Sequence, residues 1–232
     1  MERRVEPEWL DELSANDPRA QRSRNDLRRL NALMGNAGMI ANELRRAFSE
    51  SALQRITEIG AGDGDFLLQV VRRLRLRNGV SPREILLVDR QFLLSEKAKH
   101  EFRDLHWNAA ALESDALVYL ANGAPKSNAI IANLFLHHFS DARLCELLKC
   151  AAGKTDAFIA LEPRRSAFAF FFSKQVGFIG CGPVTRNDAP VSVRAGFANR
   201  EISARWPDHE NWNLTERPAG LFGHLFVARR KS

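Results

Sequence analysis

"TEIGAGDGDF", residues 57–66, sets glycines at positions 60, 62 and 64 between an aliphatic run and an amphipathic one. On one side, "LQRITEI" (53–59) reads as a strand. On the other, residues 65–76 carry apolar side chains at helical spacing, with Val70, Val71, Leu74 and Leu76 set among arginines. Gly60, Gly62 and Gly64 form G-x-G-x-G, one residue tighter than the dinucleotide-binding spacing G-x-G-x-x-G. Glycine admits positive φ and removes the Cβ that would block a ligand lying against the chain. The N–H groups at the start of the next helix are free to bind a carboxylate or a water. Glu58, two residues before Gly60, ends the strand where a carboxylate can meet an amino group.

Outward from the turn, strands and helices alternate. "REILLVD", "HWNAAAL", "SNAIIANL" and "DAFIALE" read as strands, separated by helices over "SEKAKHEF" and residues 141–151. Strands apolar on both faces, alternating with helices, imply a parallel sheet covered on its two sides. Before the turn, Asp17 and Pro18 announce a helix carrying Leu27, Leu30, Leu33 and Met34; Gly35 and Asn36 read as its stop, and a further helix spans 39–48. After the fifth strand the pattern changes. "SAFAFFFSKQVGF" (166–178) reads as a helix, "GCGPVTRNDAPVSVRAGF" (180–197) as a loop-rich stretch and "NREISARW" as a helix. "NWNLTERP" and "GHLFVARR" read as a terminal hairpin across the short "AGLF" connection.

The composition is that of an ordinary globular domain, 45% hydrophobic and 27% charged over 232 residues. The first residues, "MERRVEPEWLDEL", are charged throughout and carry no apolar leader core, and no stretch is long and apolar enough for a membrane span. Cys145, Cys150 and Cys181 have no metal-ligand spacing and no even count, so reduced thiols in a cytoplasmic protein are expected, with no metal site. The formal charge of +6 raises nucleic acid as a partner. The basic residues are scattered, however, which fits solvated helix faces and makes nucleic acid the lesser alternative.

Two more carboxylates extend the pattern begun by Glu58. Asp89 ends the second strand, where an acidic side chain takes ribose hydroxyls, and Asp115 in "ESDAL" follows the third. Three carboxylates at successive strand ends form an acidic rim that repels a pyrophosphate and attracts a cationic ligand. Together "EIGAGDG", "LLVDR", "ESDAL", "AIIANLFLHH" and "FIALEP", in that order over residues 54–162, resemble the five motifs of class I S-adenosylmethionine-dependent methyltransferases. The resemblance implies a Rossmann-like α/β fold: a seven-stranded, mostly parallel sheet with an antiparallel last strand, helices on both faces and an N-terminal helical extension. It implies S-adenosylmethionine as cofactor and S-adenosylhomocysteine as product. Glu58, Gly60, Ala61, Gly62 and Gly64 would hold the methionine end, Asp89 and Arg90 the ribose. Ser114, Asp115 and Ala116 would flank adenine, and Asn133 and Leu134 the sulfonium. One spacing departs from expectation: about thirty residues separate Glu58 from Asp89, against about twenty in the dinucleotide-binding pattern. The insert "LRNGVSPRE" is expected to loop beneath the sheet.

A single domain is expected, with residues 1–50 as a helical lid, 51–162 as the cofactor-binding core and 163–232 as a substrate-side insertion plus strand pair. His137 and His138 are the candidate bases, since imidazole titrates near neutrality and can take a phenolic or enolic proton; a capping or surface role is the competing reading. Arg164, Asp188, Arg194 and Asn36 are the candidate acceptor contacts, with Asn31 beside Asn36 in the lid. An internal Asp188–Arg194 ion pair is the favoured reading of that couple. For Phe168, Phe170, Phe171, Phe172 and Phe178, burial in the core is favoured over a pocket lining. "NLFLHH" lacks the N/D-P-P-Y pattern of amino methylation on bases. The expected activity is O-methylation of an aromatic or polyketide-like small molecule by a monomer or homodimer. RNA methylation and a non-catalytic cofactor-binding module are the alternatives, with a nicotinamide enzyme disfavoured by the glycine spacing and the acidic rim.

Overall fold

The computed structural model describes residues 1–76, 83–91 and 93–231. Most of the insert expected beneath the sheet lies outside them. Seven strands form one sheet: β1 (Arg55–Ile59), β2 (Arg83–Asp89), β3 (Trp107–Glu113), β4 (Ser127–Asn133), β5 (Thr155–Pro163), β6 (Trp212–Ala219) and β7 (Gly223–Arg230). Their order is β3-β2-β1-β4-β5-β7-β6. β1 to β5 pair in parallel, and β7 runs antiparallel to both β5 and β6. The strand order reverses between β1 and β4, the place where open α/β sheets bind ligands beyond their carboxyl ends. Register brings Ile59 beside Val88 and Ala132, so Glu58, Asp89 and Asn133 reach the same edge.

Alternation along the central strands divides the core. Ile131, Ile159, Leu161, Leu225 and Val227 face one layer, packed with residues of α3 (Asn36–Ala47), α4 (Asp65–Leu74) and α5 (Glu96–Asp104). Ile130, Phe158, Ala160, Phe226 and Ala228 face the other, against α6 (Ala116–Ala121), α7 (Asp141–Ala152) and the indoles of Trp206 and Trp212. Burial on both faces explains why these strands read as continuous apolar runs.

At the amino end, a short helix α1 (Trp9–Glu12) precedes α2 (Pro18–Met34). Asp17 caps α2 by accepting the Arg19 N–H at 2.8 Å, and Pro18 takes the first turn. Gly35 (φ 70°) ends α2, but Asn36 opens α3 and is not part of a stop. The carboxyl third departs further from expectation. α8 (Ala167–Ser173) is shorter than the aromatic run suggested, and residues 199–206 hold only a single 3-10 turn (Ser203–Arg205). The stretch read as loop-rich is a helix, α9 (Pro183–Ala195). Pro183 occupies its first turn, where no N–H is missed, and Pro190 sits inside it. Val184, Asp188, Val191 and Ala195 recur at helical spacing and are buried, so packing outweighs the proline.

Candidate functional site

One cavity of about 1740 Å³ opens at the carboxyl edge of the sheet. Its floor is the glycine turn. The N–H groups of Gly60 and Ala61 both donate to the Val88 carbonyl, at 2.9 and 3.2 Å, folding the chain back over β2. Gly60 (φ 68°) has the Phe135 ring so close that a Cβ would lie 2.1 Å from its Cδ2. Gly62 (φ 54°) faces open space, the bare backbone a ligand can lie against. Gly64 does not line the cavity: a Cβ there would meet Leu87 at 2.6 Å, so this glycine serves the packing of α4 on the sheet.

Glu58 is buried, and its Oε2 has no hydrogen-bond partner among the described residues. Burial, then the charges of Asp63, Asp89 and Asp65, push its pKa well above the usual carboxylate range. Asn36 and Asn133 also line the cavity, and each presents a buried Oδ1 without a partner among the described residues. Their Nδ2 groups both donate to Asn31 Oδ1, at 2.7 and 3.1 Å. Three unpartnered acceptors, one of them acidic, suit a ligand ammonium, which has three N–H groups to donate.

Asp89 accepts the Gly62 N–H on Oδ2 at 2.8 Å and the Gln91 N–H on Oδ1 at 3.0 Å. Each oxygen keeps a lone pair for a ligand hydroxyl. Arg90 lines the same wall near Asp11, and Ser114, Asp115 and Ala116 line the adjoining one. Asp115 accepts the Leu117 and Val118 N–H groups with a single oxygen, Oδ1, and thereby caps α6. Leu134 holds a left-handed conformation (φ 52°) at the end of β4, and its N–H donates to the Leu161 carbonyl at 2.9 Å. Such backbone strain in a branched residue collects at ligand sites. α2 closes the turn from above, where Arg28 is ion-paired with Asp63.

The far end of the cavity is built on the 3-10 turn Leu136–His138. The carboxylate of Glu162, from β5, accepts the Phe135 and Leu136 N–H groups at 3.0 and 2.9 Å. Its Oε2 lies 2.8 Å from His137 Nδ1, and Glu8 Oε1 lies 3.3 Å from His137 Nε2. Burial alone lowers the His137 pKa, but hydrogen bonds to Glu162 and Glu8 outweigh it and raise the value to about 9. His137 is therefore protonated at neutral pH with both nitrogens engaged, an arrangement unsuited to a base. His138 differs: its Nδ1 lies 3.1 Å from Asp11 Oδ2, and its side chain is a quarter exposed to the cavity.

The remaining sequence candidates lie elsewhere. Arg164, Asp188 and Arg194 do not line the cavity. The expected Asp188–Arg194 ion pair is not formed. Asp188 accepts the Trp9 and Leu10 N–H groups at 2.9 and 3.0 Å, while Arg194 pairs with Glu6 at 2.8 Å. Both thus hold down the amino-terminal segment. The phenylalanine run is not core either. Phe168, Phe171, Phe172 and Phe178 are exposed, the last at 89%, and Phe172 and Phe178 line the cavity mouth with Leu221 and Phe222. Glu8 and Asp11 went unnoticed in the sequence, because they stand more than a hundred residues before the histidines they meet and carry no motif of their own.

No family model and no curated protein sequence matches the chain. Comparison with solved structures identifies the architecture as the class I S-adenosylmethionine-dependent methyltransferase fold. The chain is similar to the plantazolicin methyltransferase BpumL in complex with SAH (S-adenosylhomocysteine): TM-score 0.64, 14% identity, 93% of this chain and 92% of that one. It is similar to an O-methyltransferase family protein from Burkholderia thailandensis (TM-score 0.60, 18% identity), matching over 94% of its own length and 61% of the other. It is likewise similar to the pyocyanin biosynthetic protein PhzM (TM-score 0.57, 14% identity), over 96% of this chain and 61% of that one. The chain thus spans about three-fifths of the last two. At these identities the likeness is one of fold. No helix among the described residues is long and apolar enough to cross a membrane.

Proposed function

We propose that the protein is an S-adenosylmethionine-dependent methyltransferase acting on a small-molecule acceptor, by O-methylation of an aromatic or polyketide-like compound. The observation that carries this reading is the set of unpartnered acceptors on Glu58, Asn36 and Asn133, standing at a bare glycine turn within a cavity that runs on to a carboxylate-backed histidine. Glu58 and the two asparagines bind the methionine ammonium, Asp89 the ribose, and Ser114, Asp115 and Ala116 the adenine. When bound, S-adenosylmethionine supplies an activated methyl on a sulfonium that departs as a neutral thioether.

The chain aligns the acceptor, excludes water and takes one proton. His138 receives the acceptor hydroxyl proton, and Asp11 orients the ring and stabilises its charged form. His137, fixed between Glu8 and Glu162, positions the turn that carries His138. The cavity exceeds what one nucleoside-sized ligand fills, and its phenylalanine-lined mouth favours an apolar acceptor. Arg3, Arg28, Arg55, Arg72 and Arg165 are engaged by carboxylates on different parts of the molecule, Asp141, Asp63, Glu84, Glu101 and Glu201, and do not form one free basic face. That distribution supports a small acceptor over an RNA backbone. Residues 1–50 act as the lid and 163–232 as the acceptor-side wall in this scheme.

Titration calorimetry with S-adenosylmethionine tests the cofactor half: wild type binds, and Asp89→Ala loses most of that affinity. Transfer of a labelled methyl to a panel of phenols, hydroxyketones and RNA oligonucleotides tests the acceptor half. A wild-type protein that ignores the cofactor would refute the proposal.

A further inference from the structure

We propose that Glu8, His137 and His138 form a divalent-metal site at the acceptor end of the cavity, an inference that rests on the methyltransferase reading for its role but not for its existence. One ligand atom from each of the three lies within 4.8 Å of the other two. His137 Nε2 and Glu8 Oε1 are 3.3 Å apart, and the imidazole centroids are separated by 4.2 Å with a tilt of 33°. Three ligand atoms bound at about 2.1 Å stand about 3.0–3.6 Å apart, so closing the set needs side-chain movements of about 1–2 Å.

The surroundings are those of a ligand set. Histidines that bind metals present one nitrogen to the ion and hold the other against a carboxylate or carbonyl. Both imidazoles here have such a backing, Glu162 at 2.8 Å from His137 Nδ1 and Asp11 at 3.1 Å from His138 Nδ1, and an ion at His137 Nε2 would displace the proton that this nitrogen shares with Glu8. Glu162 is itself fixed by three backbone N–H groups, those of Phe135, Leu136 and His137, and Glu8 by the Ser192 hydroxyl, which donates to Oε1 at 2.5 Å. Glu8, Glu162 and His137 are buried while Asp11 and His138 reach solvent, so three carboxylates meet two imidazoles, an imbalance that a divalent cation offsets.

Two imidazoles and a carboxylate, with the cavity left open on the remaining side, suit first-row ions such as Mn²⁺, Co²⁺ or Zn²⁺. The open positions accept acceptor oxygens, which narrows the substrate class to compounds with two neighbouring oxygen donors, such as a catechol or a β-hydroxyketone. Such a cation would lower the pKa of a hydroxyl bound to it, whose proton would leave to water; the oxygen would then take the methyl as the carbon–sulfur bond breaks with its electron pair returning to sulfur. His138 passes from base to ligand in this scheme. Sequence gave no hint of the site, because Glu8 stands 129 positions from His137.

The test uses the full chain, stripped with chelator and titrated with Co²⁺ while visible absorption is followed, and with Zn²⁺ by calorimetry. Saturation at one ion per chain is expected, with affinity at least tenfold weaker in Glu8→Gln and in His138→Ala, each verified as folded by circular dichroism. Either no saturable binding up to about 1 mM, or binding unchanged in both variants, would overturn the site. S-adenosylmethionine titration of the stripped protein runs alongside, so a protein that binds the cofactor but takes up no metal overturns only the metal inference.

Discussion

At Glu58, burial and three neighbouring carboxylates hold the pKa far above the usual 4.5. The folded protein therefore keeps this proton to higher pH than the unfolded chain does. Its contribution favours folding fully below about the unfolded value and is lost as pH rises through the folded one. Glu58→Gln carries no such dependence. Differential scanning calorimetry is expected to show a higher Tm than wild type at pH 8 and little change at pH 4. The same variant should bind S-adenosylmethionine at least about tenfold more weakly, because a hydrogen bond to a charged group contributes about 1.5–3 kcal/mol. A variant less stable than wild type at pH 8 would contradict this account of the site. The glycines separate just as cleanly. Gly60→Ala drives a Cβ into Phe135 at positive φ and should cost about 2–4 kcal/mol in denaturant unfolding, where Gly62→Ala should cost about 1–2. Only at Gly62, which faces open space, should the loss in cofactor affinity exceed the loss in stability.

Among the elements, the amino-terminal segment has the least packing of its own and the most borrowed anchorage. α1 is four residues long, with none of them buried. It is held by the Asp188 carboxylate, by Glu8 on His137 and Asp11 on His138, and by Arg3, which donates to Asp141 and the Phe139 carbonyl. Asp188→Ala removes two charged hydrogen bonds and is expected to speed amide exchange over residues 8–12 by at least about tenfold. Under the proposed function it should raise the acceptor KM while leaving cofactor affinity alone. The strap was hidden from sequence inspection because its partners are scattered over Asp188, Arg194, His137 and His138, linked by no spacing rule. The parallel strands were legible for the opposite reason. β2 and β7 have the bounds their aliphatic runs suggested, since two-sided burial writes itself into composition. α9 was concealed by Gly182, Pro183 and Pro190: punctuation of that kind signals a loop unless tertiary burial overrides it, as Val184, Val191 and Ala195 do here. The histidine pair was visible, while the assignment of roles within it depended on carboxylates contributed from β5 and the amino-terminal segment.

For the molecule as a whole, one cavity joins the glycine turn, the histidine turn and an aromatic mouth. Phe178 is 89% exposed and supports no core, so Phe178→Ser should leave Tm and cofactor affinity unchanged. It should raise the KM of an apolar acceptor about threefold to thirtyfold, the scale of about 0.7–2 kcal/mol of lost aromatic contact. An unchanged KM would place acceptor entry elsewhere. The phenylalanine run misled the sequence reading because apolar residues exposed around a cavity have the same composition as a core. Last, the ion pair between Arg28 on α2 and Asp63 in the glycine turn couples the roof of the cavity to its floor. Under the proposed function this pair lies over the methionine end of the bound cofactor, and added electrolyte weakens it. Product release should therefore quicken with ionic strength, making the enzyme least prone to inhibition by its own by-product in the saltiest medium that leaves it folded.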